Sequence, residues 1–277
     1  MPSDRPDRLI FLDTNVVLDL AFELRPRHDL ILGMFERRRV GRAEPLLYTD
    51  WVRDELDRLL KAALQQVRAA VLDGIRRETG WDELSPEDRD ERAGRWLGAL
   101  VGPRATSGCH SVVDCVLARI APSLLSLRRD EVIRYFEEQA VGLEWMYRER
   151  LLAGGLVLAR HRSPEGRELE VRVFRVLAGA RRRGAPLFRL ERDDEFVDAH
   201  NLAELLSFLA QPPLVGGRSV RGSPLVEFWT ADRELEERCR HVKENAEGLG
   251  IAELVGWGSL SKFSVVFLHP STLESKP

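Results

Sequence analysis

Four acidic residues, widely separated along the chain, each lie where a strand or helix end would deliver a carboxylate to one point. They are Asp13, Glu55, Asp198 and Asp232. Carboxylates gathered without basic partners repel one another, and burial raises their pKa values, so such a cluster favours a bound cation. Hard oxygen ligands of this kind suit Mg²⁺ or Mn²⁺. The four residues are therefore the candidate catalytic and metal-binding groups.

Asp13 follows the apolar run 9–12 and opens the sequence Asp13-Thr14-Asn15. Aspartate is a favoured N-cap residue, so Asp13 taken alone could simply cap the helix that follows. Beside the other three acids, we favour a metal ligand. We then expect Thr14 and Asn15 to orient its carboxylate through hydrogen bonds.

Glu55 flanks the apolar stripe of a predicted helix, whereas its neighbour Asp54 points well away from that stripe. The stripe consists of Val52, Leu56, Leu59, Ala63 and Val67. A flanking glutamate is more often a surface residue, here with Arg53 or Arg58 nearby. Both interpretations stay open at this position, and we favour the site.

Asp198 lies on the core-facing stripe of another predicted helix, since Leu202, Leu205 and Leu209 share its direction. A carboxylate there must be paired, capped or metal-bound. Asp194, one turn earlier, could cap the helix, add a fifth ligand or be the true third acid. We prefer Asp198 and keep Asp194 as the alternative ligand.

Asp232 follows a predicted strand and precedes a predicted helix that begins at Arg233. It could cap that helix. Thr230, two residues earlier, is placed for a hydroxyl contact to the same site. We favour a functional role for both residues.

These segments together resemble the PIN-domain nucleases, with a VapC-like ribonuclease core. The resemblance covers about residues 7–60 and 190–270. It rests on Phe11-Leu12-Asp13-Thr14-Asn15, on Val52 with Glu55-Leu56, on Asp198 opening an apolar helix, and on Thr230-Ala231-Asp232-Arg233. In that family the four acids form the metal site, and one or two Mg²⁺ or Mn²⁺ ions are expected there.

The resemblance implies a metal-dependent endoribonuclease whose products carry 5′-phosphate and 3′-hydroxyl ends, and the leading hypothesis is that it acts on single-stranded or loop RNA. The preference for RNA over DNA comes from the resemblance alone, and a structure-specific or single-strand DNA nuclease would use the same acids. Toxin-like members are silenced by an antitoxin that reaches into the site, so a protein inhibitor or regulator is an expected partner and a toxin–antitoxin or defence role is an expected context.

The chain departs from the family in length, because 142 residues (56–197) separate the second acid from the third. We therefore expect three segments: a first part of the core at 1–75, a helical insertion at 76–164 and a second part of the core at 165–277. A non-catalytic scaffold that binds a partner through the insertion is the rival hypothesis. A homo-oligomer contact through the insertion is a further alternative.

Composition is that of an ordinary globular protein, with 44% hydrophobic and 31% charged residues. The opening residues contain no apolar h-region, and no run approaches the length needed to span a bilayer. Three cysteines fit a reducing compartment. The sequence therefore predicts a cytoplasmic protein that has no membrane partner.

Neither the cysteines nor the histidines show a spacing that predicts a site. Cys109-His110 with Cys115 lacks a convincing zinc spacing, and buried free thiols are favoured. The six histidines show no mutual spacing that suggests catalysis. His200 would point about 200° away from Asp198 on a helix.

Basic residues are almost all arginine, and they concentrate before the third acid. Net charge is −3, yet residues 145–192 contain 12 arginines against 5 glutamates. A charge run is usually a solvated face, but arginines in this place could guide a phosphate backbone. The candidate nucleic-acid-binding residues are Arg181, Arg182, Arg183, Arg189 and Arg192.

Periodicity predicts strands alternating with helices at both ends of the chain and helices in the middle. Strands are predicted at 8–12, 46–48, 225–230 and 263–268. Helices are predicted at 14–24, 27–39, 50–75, from Pro86, from Ser111, at 128–153, from Pro164 to Gly184, at 194–210 and at 233–246. This order predicts an α/β, PIN-like three-layer fold: a central, mostly parallel sheet flanked by helices, with an α-helical insertion. Ligands gather at the carboxyl ends of such strands, where Asp13 and Asp232 lie.

Overall fold

The structure is a computed structural model that divides the chain into two compact units. It describes residues 8–22, 25, 27–39, 46–101, 112–116, 126–138, 156–220, 222 and 224–268. The first unit comprises residues 1–17, 30–55 and 152–277, and the second comprises 18–29 and 56–151.

The first unit contains a seven-stranded, mostly parallel sheet flanked by helices. The strands are β1 (Arg8–Leu12), β2 (Leu46–Tyr48), β3 (Leu156–Arg160), β6 (Leu214–Val215), β7 (Arg218–Ser219), β8 (Leu225–Thr230) and β9 (Phe263–Phe267). Their order across the sheet is β7-β6-β3-β2-β1-β8-β9. Strands β3, β2, β1, β8 and β9 run parallel, and β6 joins β3 antiparallel with β7 beyond it. The predicted α/β class and mostly parallel sheet are confirmed.

Strand β1 lies between β2 and β8. Its residues 9–12 are all buried. A parallel strand covered on both faces needs a continuous apolar run, which is the pattern that predicted it.

A separate two-stranded hairpin pairs β4 (Arg181–Arg182) with β5 (Ala185–Pro186). Its turn is Arg183-Gly184, with φ of 51° and 85°. Positive φ at both central residues suits the tight hairpin turn. The predicted helix that closes at Gly184 is therefore wrong in its last part, since the helix ends at Gly179.

The helices of the structure mostly begin where the sequence predicted. They are α1 (Thr14–Ala21), α2 (His28–Arg39), α3 (Asp50–Arg77), α4 (Pro86–Val101), α5 (Arg129–Glu138), α6 (Pro164–Gly179), α7 (Asp193–Ala210), α8 (Arg233–Glu244), α9 (Ile251–Val255) and α10 (Trp257–Leu260), with a 3₁₀ turn at Trp81–Glu83. Residues 112–116 are also helical. Ser111, Cys109 and His110, and the stretch 139–153 lie outside the described residues.

Two short sheet regions were not predicted. Strand β3 lies within the range expected for the helical insertion, yet it pairs with β2 in the parallel sheet. The β6–β7 hairpin follows Pro212-Pro213 and was read as a break. In this part of the chain the two compact units divide at residues 55/56 and 151/152.

The core of the first unit forms between the sheet and helices α6 to α9. Phe11 of β1 stacks on Phe208 of α7, with ring centroids 5.6 Å apart. Buried leucines of α6 and α7 and the buried face of α8 (Leu235, Cys239 and Val242) complete this core. Burying such side chains contributes about 1.5–3 kcal/mol each. The strand ends that carry the acids are thereby held in place.

The second unit has its own apolar centre around Trp81, which is 1% exposed. Its indole N–H donates to the carbonyl of Leu127 at 3.1 Å. Its ring lies 5.4 Å from that of Trp96 in α4, and the Arg89 guanidinium lies 5.5 Å from its centroid.

Candidate active site

The carboxylate of Asp13 is fixed at both oxygens immediately after β1. The backbone N–H of Thr14 donates to Oδ1 at 2.8 Å, and the hydroxyl of Thr230 donates to Oδ2 at 2.8 Å. The backbone N–H of Asp13 continues the sheet ladder by donating to the carbonyl of Trp229 at 2.9 Å. The side chain is almost fully buried, at 3% exposure for the residue. A buried carboxylate with both oxygens engaged has one orientation.

Glu55 lies in the second turn of α3 and reaches the same place. The hydroxyl of Thr14 donates to Glu55 Oε2 at 2.5 Å. Asp54, by contrast, is exposed and accepts from the side chain of Arg53. Thr14 therefore connects the first two acids, through its amide to Asp13 and through its hydroxyl to Glu55. The described residues offer the Asn15 side chain no hydrogen-bond partner, so only Thr14 acts as the sequence predicted.

Asp198 projects from α7 with 22% of its side chain exposed. The structure separates it from Asp194, whose side chain is 60% exposed and forms an ion pair with Arg192 at 2.8 Å. That ion pair and the N-terminal amides of α7 lower the pKa of Asp194 despite partial desolvation. The structure thus brings Asp198, rather than Asp194, to the other acids.

Asp232 follows β8 and is the N-cap of α8. Its Oδ1 accepts from the backbone N–H groups of Glu234 and Leu235, at 2.7 and 3.1 Å. Its own backbone N–H donates to the hydroxyl oxygen of Thr230 at 3.0 Å. The capping role that the sequence left open is therefore real, and it coexists with a position beside the other acids. Thr230 links Asp232 to Asp13 within one hydrogen-bonded chain.

The four carboxylates lie close enough to act on one another electrostatically. Burial raises the pKa of Asp13 to about 7, with further increases from the charges of Glu55 and Asp232. Burial also raises the pKa of Asp198 to about 9, and the charges of Asp13, Glu55 and Asp232 add to it. The hydrogen bonds from Thr230 and Thr14 oppose the shift at Asp13, and the Arg238 guanidinium opposes it at Asp198. A cluster so short of positive charge would be stabilised by a cation.

Within the described residues, no three acidic, histidine or cysteine side chains have the spacing of a closed metal-coordination shell. The mutual effect on pKa nevertheless places the four carboxylates in one neighbourhood. Charges interact over several ångströms, whereas metal ligands must lie within about 2.0–2.2 Å of Mg²⁺ or Mn²⁺. Carboxylates can therefore affect one another's pKa without having the spacing of a coordination shell. Carboxylates that repel one another sit further apart than carboxylates that share a cation.

A buried arginine borders the acids and was missed from the sequence. Arg238 is 6% exposed. Its Nη2 lies 2.9 Å from Glu195 Oε2 and 2.5 Å from Glu234 Oε1, and its Nη1 lies 3.8 Å from Asp198 Oδ2. The signal was available, because Arg238 falls on the apolar stripe of α8 next to Cys239 and three residues after Leu235. A charged residue on a core-facing stripe needs partners.

Three of the five arginines expected to bind nucleic acid are held by carboxylates. Arg189 and Arg192 both form ion pairs with the buried Glu195, and Arg182 forms one with Glu237. Arg181 donates to the carbonyl of Gly184, and Arg183 is exposed in the hairpin turn. These contacts favour a structural role for Arg189 and Arg192 in particular, because they neutralise Glu195 at the start of α7.

A second polar cluster lies within the same unit, around Glu170 of α6. Burial would raise the pKa of Glu170, but the hydrogen bonds from His161 and Trp51 and the nearby imidazole of His200 lower it to about 2. The distances are 3.0 Å from His161 Nε2, 2.8 Å from Trp51 Nε1 and 3.9 Å from His200 Nδ1. His161 and His200 both lie beside the same carboxylate, that of Glu170. The spacing of the histidines in the sequence gave no sign of this shared partner.

Glu204 of α7 is another buried acid outside the site, at 1% exposure. Burial raises its pKa to about 9, and the charges of Glu170 and Asp50 add to the shift. Its Oε2 has no hydrogen-bond partner within the described residues. Glu204 is therefore uncharged at neutral pH.

Cys115 and Cys239 are both buried free thiols. Burial raises the pKa of Cys115 to about 11 and raises that of Cys239 well above its ordinary value. Thiols with raised pKa values are poor metal ligands and nucleophiles. The expectation of buried free thiols is confirmed for these two residues.

Among the helices that the structure describes, none is both long and apolar enough to cross a membrane. Comparison with known proteins leaves the site to be interpreted from its own geometry: no protein-family model, no curated protein and no solved structure matches this chain.

Proposed function

We propose that this protein is a Mg²⁺- or Mn²⁺-dependent nuclease of the PIN type that hydrolyses RNA. The observation that carries the proposal is the buried Asp13 carboxylate, fixed at both oxygens and coupled to three other acids from distant parts of the chain. A fold does not require such a group, because a buried charge that lacks a basic partner costs stability. A cation bound to this carboxylate would offset that cost.

The donor set fits a hard divalent ion. Asp13, Glu55, Asp198 and Asp232 offer only carboxylate oxygens, which suit Mg²⁺ and Mn²⁺ better than Zn²⁺ or copper. These four residues would hold one or two ions. A bound ion supplies Lewis-acid activation of a water molecule and neutralises charge on the phosphate group. The phosphorus–O3′ bond would then be hydrolysed, leaving a 5′-phosphate and a 3′-hydroxyl.

The remaining residues of the site orient the acids. Thr14 and Thr230 fix Asp13, and Thr14 also holds Glu55. The amides at the start of α8 fix Asp232 through its Oδ1. Arg238 is bound to Glu195 and Glu234, so it lies near Asp198 without fully neutralising it. No serine or cysteine nucleophile is required.

The test is cleavage of total RNA by purified protein in Mg²⁺, Mn²⁺ or EDTA. Two of the four proposed ligands, Asp198 and Glu55, have a neighbouring exposed aspartate that serves as a matched control. Asp198→Asn and Glu55→Gln are expected to abolish cleavage, whereas Asp194→Asn and Asp54→Asn remove a nearby exposed carboxylate and are expected to leave it intact. Asp13→Asn and Asp232→Asn are expected to abolish it as well. Matched DNA strands in parallel show whether the substrate is RNA.

Metal-dependent cutting by wild type and by the two neighbour variants alone would support the proposal. Cutting that survives in Asp13→Asn would refute it. The absence of cutting in every metal would favour the rival hypothesis of a PIN-like scaffold that binds a partner.

A further inference from the structure

Four rings from three helices form an ordered aromatic cluster on the first unit. The His200 imidazole lies between the rings of Trp51 and Phe174, with centroid distances of 3.9 and 3.6 Å and interplanar angles of 23° and 13°. The Phe196 ring meets Trp51 and Phe174 edge-on, at 6.1 and 5.8 Å. Because Trp51 is also hydrogen-bonded to Glu170 at 2.8 Å, the cluster is held rigidly.

Part of this cluster is open to solvent. Phe196 is 36% exposed and Val171 is 44% exposed. Val171 lies on α6 three residues before Phe174, which places the two side chains on one face of that helix. A single exposed apolar residue needs no explanation. Two that adjoin a rigid aromatic stack form a platform, which we define as Trp51, Val171, Phe174 and Phe196.

Arginines flank this platform on both sides. Arg167 and Arg175 lie four residues before and after Val171, so all three share one face of α6. Both arginines are exposed, and neither forms an ion pair with any side chain that the structure describes. Arg189 and Arg192, by contrast, are held by Glu195. The guanidinium groups beside the platform are therefore available to an anionic partner.

The platform adjoins the acidic site through α3. Trp51 and Glu55 are four residues apart and share one face of that helix, about 6 Å apart along its axis. Asp198 and Phe196 both belong to α7, although they project from different sides of it. A chain lying on the platform can thus reach the acids within one or two of its own repeat units.

We propose that this platform, with Arg167 and Arg175, binds single-stranded RNA next to the acidic site. The inference rests on the proposed nuclease function and assigns to it a strand-binding surface outside the acidic site. Bases of an unpaired strand expose their π-faces and stack on aromatic side chains, and arginines contact the phosphates between them. A duplex hides the faces of its bases, so it does not fit this surface.

The first measurement is fluorescence anisotropy with a labelled 12-nucleotide single-stranded RNA in EDTA, where metal-dependent cleavage does not interfere. Phe196→Leu keeps an apolar side chain but removes the ring, and is expected to weaken binding about fivefold or more. Arg167→Ala/Arg175→Ala is expected to weaken it at least about tenfold and to reduce the slope of log Kd against log salt by about 1.4.

Matched controls exist elsewhere on the chain. Trp257→Leu replaces another exposed aromatic ring, and Arg134→Ala/Arg218→Ala removes two other exposed arginines that have no ion pair within the described residues. Both controls are expected to bind as wild type does. Cross-linking with 4-thiouridine is expected to label peptides that contain Phe196 or residues 167–175.

Unchanged affinity in both platform variants, or equally tight binding of a duplex or of matched single-stranded DNA, would overturn the inference. So would self-association in sedimentation that Phe196→Leu abolishes, because the platform would then belong to a second copy. If the protein cleaves RNA but the platform variants bind RNA as wild type does, the nuclease proposal holds and the platform proposal is refuted. If binding depends on the platform but no metal supports cleavage, the platform proposal holds and the nuclease proposal is refuted.

Discussion

The hydroxyl of Thr230 connects two of the four acids of the site. It donates to Asp13 and accepts from the amide of Asp232, so one oxygen atom sets the relation between two acids that follow neighbouring strands. Valine has the same shape but offers neither hydrogen bond, and serine retains both. The position therefore separates the effect of the hydroxyl from the effect of packing.

Thr230→Val is expected to lower activity about 10- to 100-fold and to raise the metal concentration needed for half-maximal activity, because the groups that orient metal ligands have effects of this size. Thr230→Ser is expected to restore most of both. Activity titrated against Mg²⁺ or Mn²⁺ measures this. Equal loss in the two variants would mean that Thr230 acts through packing alone.

The raised pKa of Asp198 predicts how stability depends on pH in the absence of metal. In the unfolded chain its pKa is near 3.8, and in the folded protein it is about 9. The favourable contribution of the protonated form is complete below pH 4 and is lost as the pH rises towards 9. Asp198→Asn removes this dependence.

In EDTA at pH 8, Asp198→Asn is therefore expected to be more stable than wild type, since a pKa difference of this size corresponds to several kcal/mol at about 1.4 kcal/mol per unit. The difference is expected to vanish near pH 4. Thermal unfolding across this pH range measures it, with a Tm increase of about 2–4 °C for each kcal/mol. Asp194→Asn provides the control, because the pKa of Asp194 is lowered and its removal brings no such gain. A Tm difference independent of pH would contradict the assignment.

At the scale of elements, the strands and helices that could be predicted are those whose burial produces a regular apolar pattern in the sequence. β1 was predictable because a strand buried on both faces is a continuous apolar run, and α7 because its leucines recur at helical spacing. β3 was not, since a five-residue run after Gly154-Gly155 becomes a strand only by pairing with β2, more than 100 residues earlier. The hairpin at 181–186 was hidden in an arginine-rich stretch that suits either conformation.

The site shows the same limit. The positions of Asp13 and Asp232 were predictable because Asp13 directly follows β1 and Asp232 lies two residues after the end of β8. The structure pairs Arg189 and Arg192 with Glu195 in the first turn of α7, a contact that the sequence could not reveal because it does not show that Glu195 is buried. The preference for Asp198 over Asp194 was reached from periodicity, and the structure brings Asp198 to the other acids. Sequence therefore indicates which side chains face inward more readily than it indicates which partners they meet.

Helices α3 and α4 of the second unit approach closely at Gly74. A Cβ atom there would lie 2.2 Å from the Trp96 ring, whereas a Cβ at Gly94 would meet nothing within 4 Å. Gly74→Ala is expected to destabilise the protein by about 1–3 kcal/mol, because overpacking outweighs the gain in helix propensity. Gly94→Ala, in the same pair of helices, is expected to stabilise it by up to about 1 kcal/mol. Denaturant unfolding of both variants tests this, and stabilisation by Gly74→Ala would contradict the packing.

At the scale of the whole molecule, the two compact units bear on the proposed role. The acids all belong to the first unit, and the second has its own core around Trp81. The proposed chemistry therefore needs no residue of the second unit.

A toxin-like role predicts that expression of wild-type protein arrests growth of the host. Asp13→Asn is expected to relieve the arrest, because it removes a proposed metal ligand, while Asp54→Asn is expected to arrest growth as wild type does. Growth curves after induction at matched protein levels measure this. Arrest by Asp13→Asn would point to a cause other than RNA cleavage.

The hydrogen bond between Thr230 and Asp13 joins residues 217 positions apart. A ribosome that adds about 5–20 residues per second needs about 10–45 s to travel that distance. Throughout that time Asp13 exists on the nascent chain without Thr230 or Asp232. Asp198 and Asp232 are added only in the last third of synthesis, and Asp13 lacks the Thr230 hydroxyl until then. Under the proposed function, the nuclease could therefore not attack its own messenger while most of it is being translated.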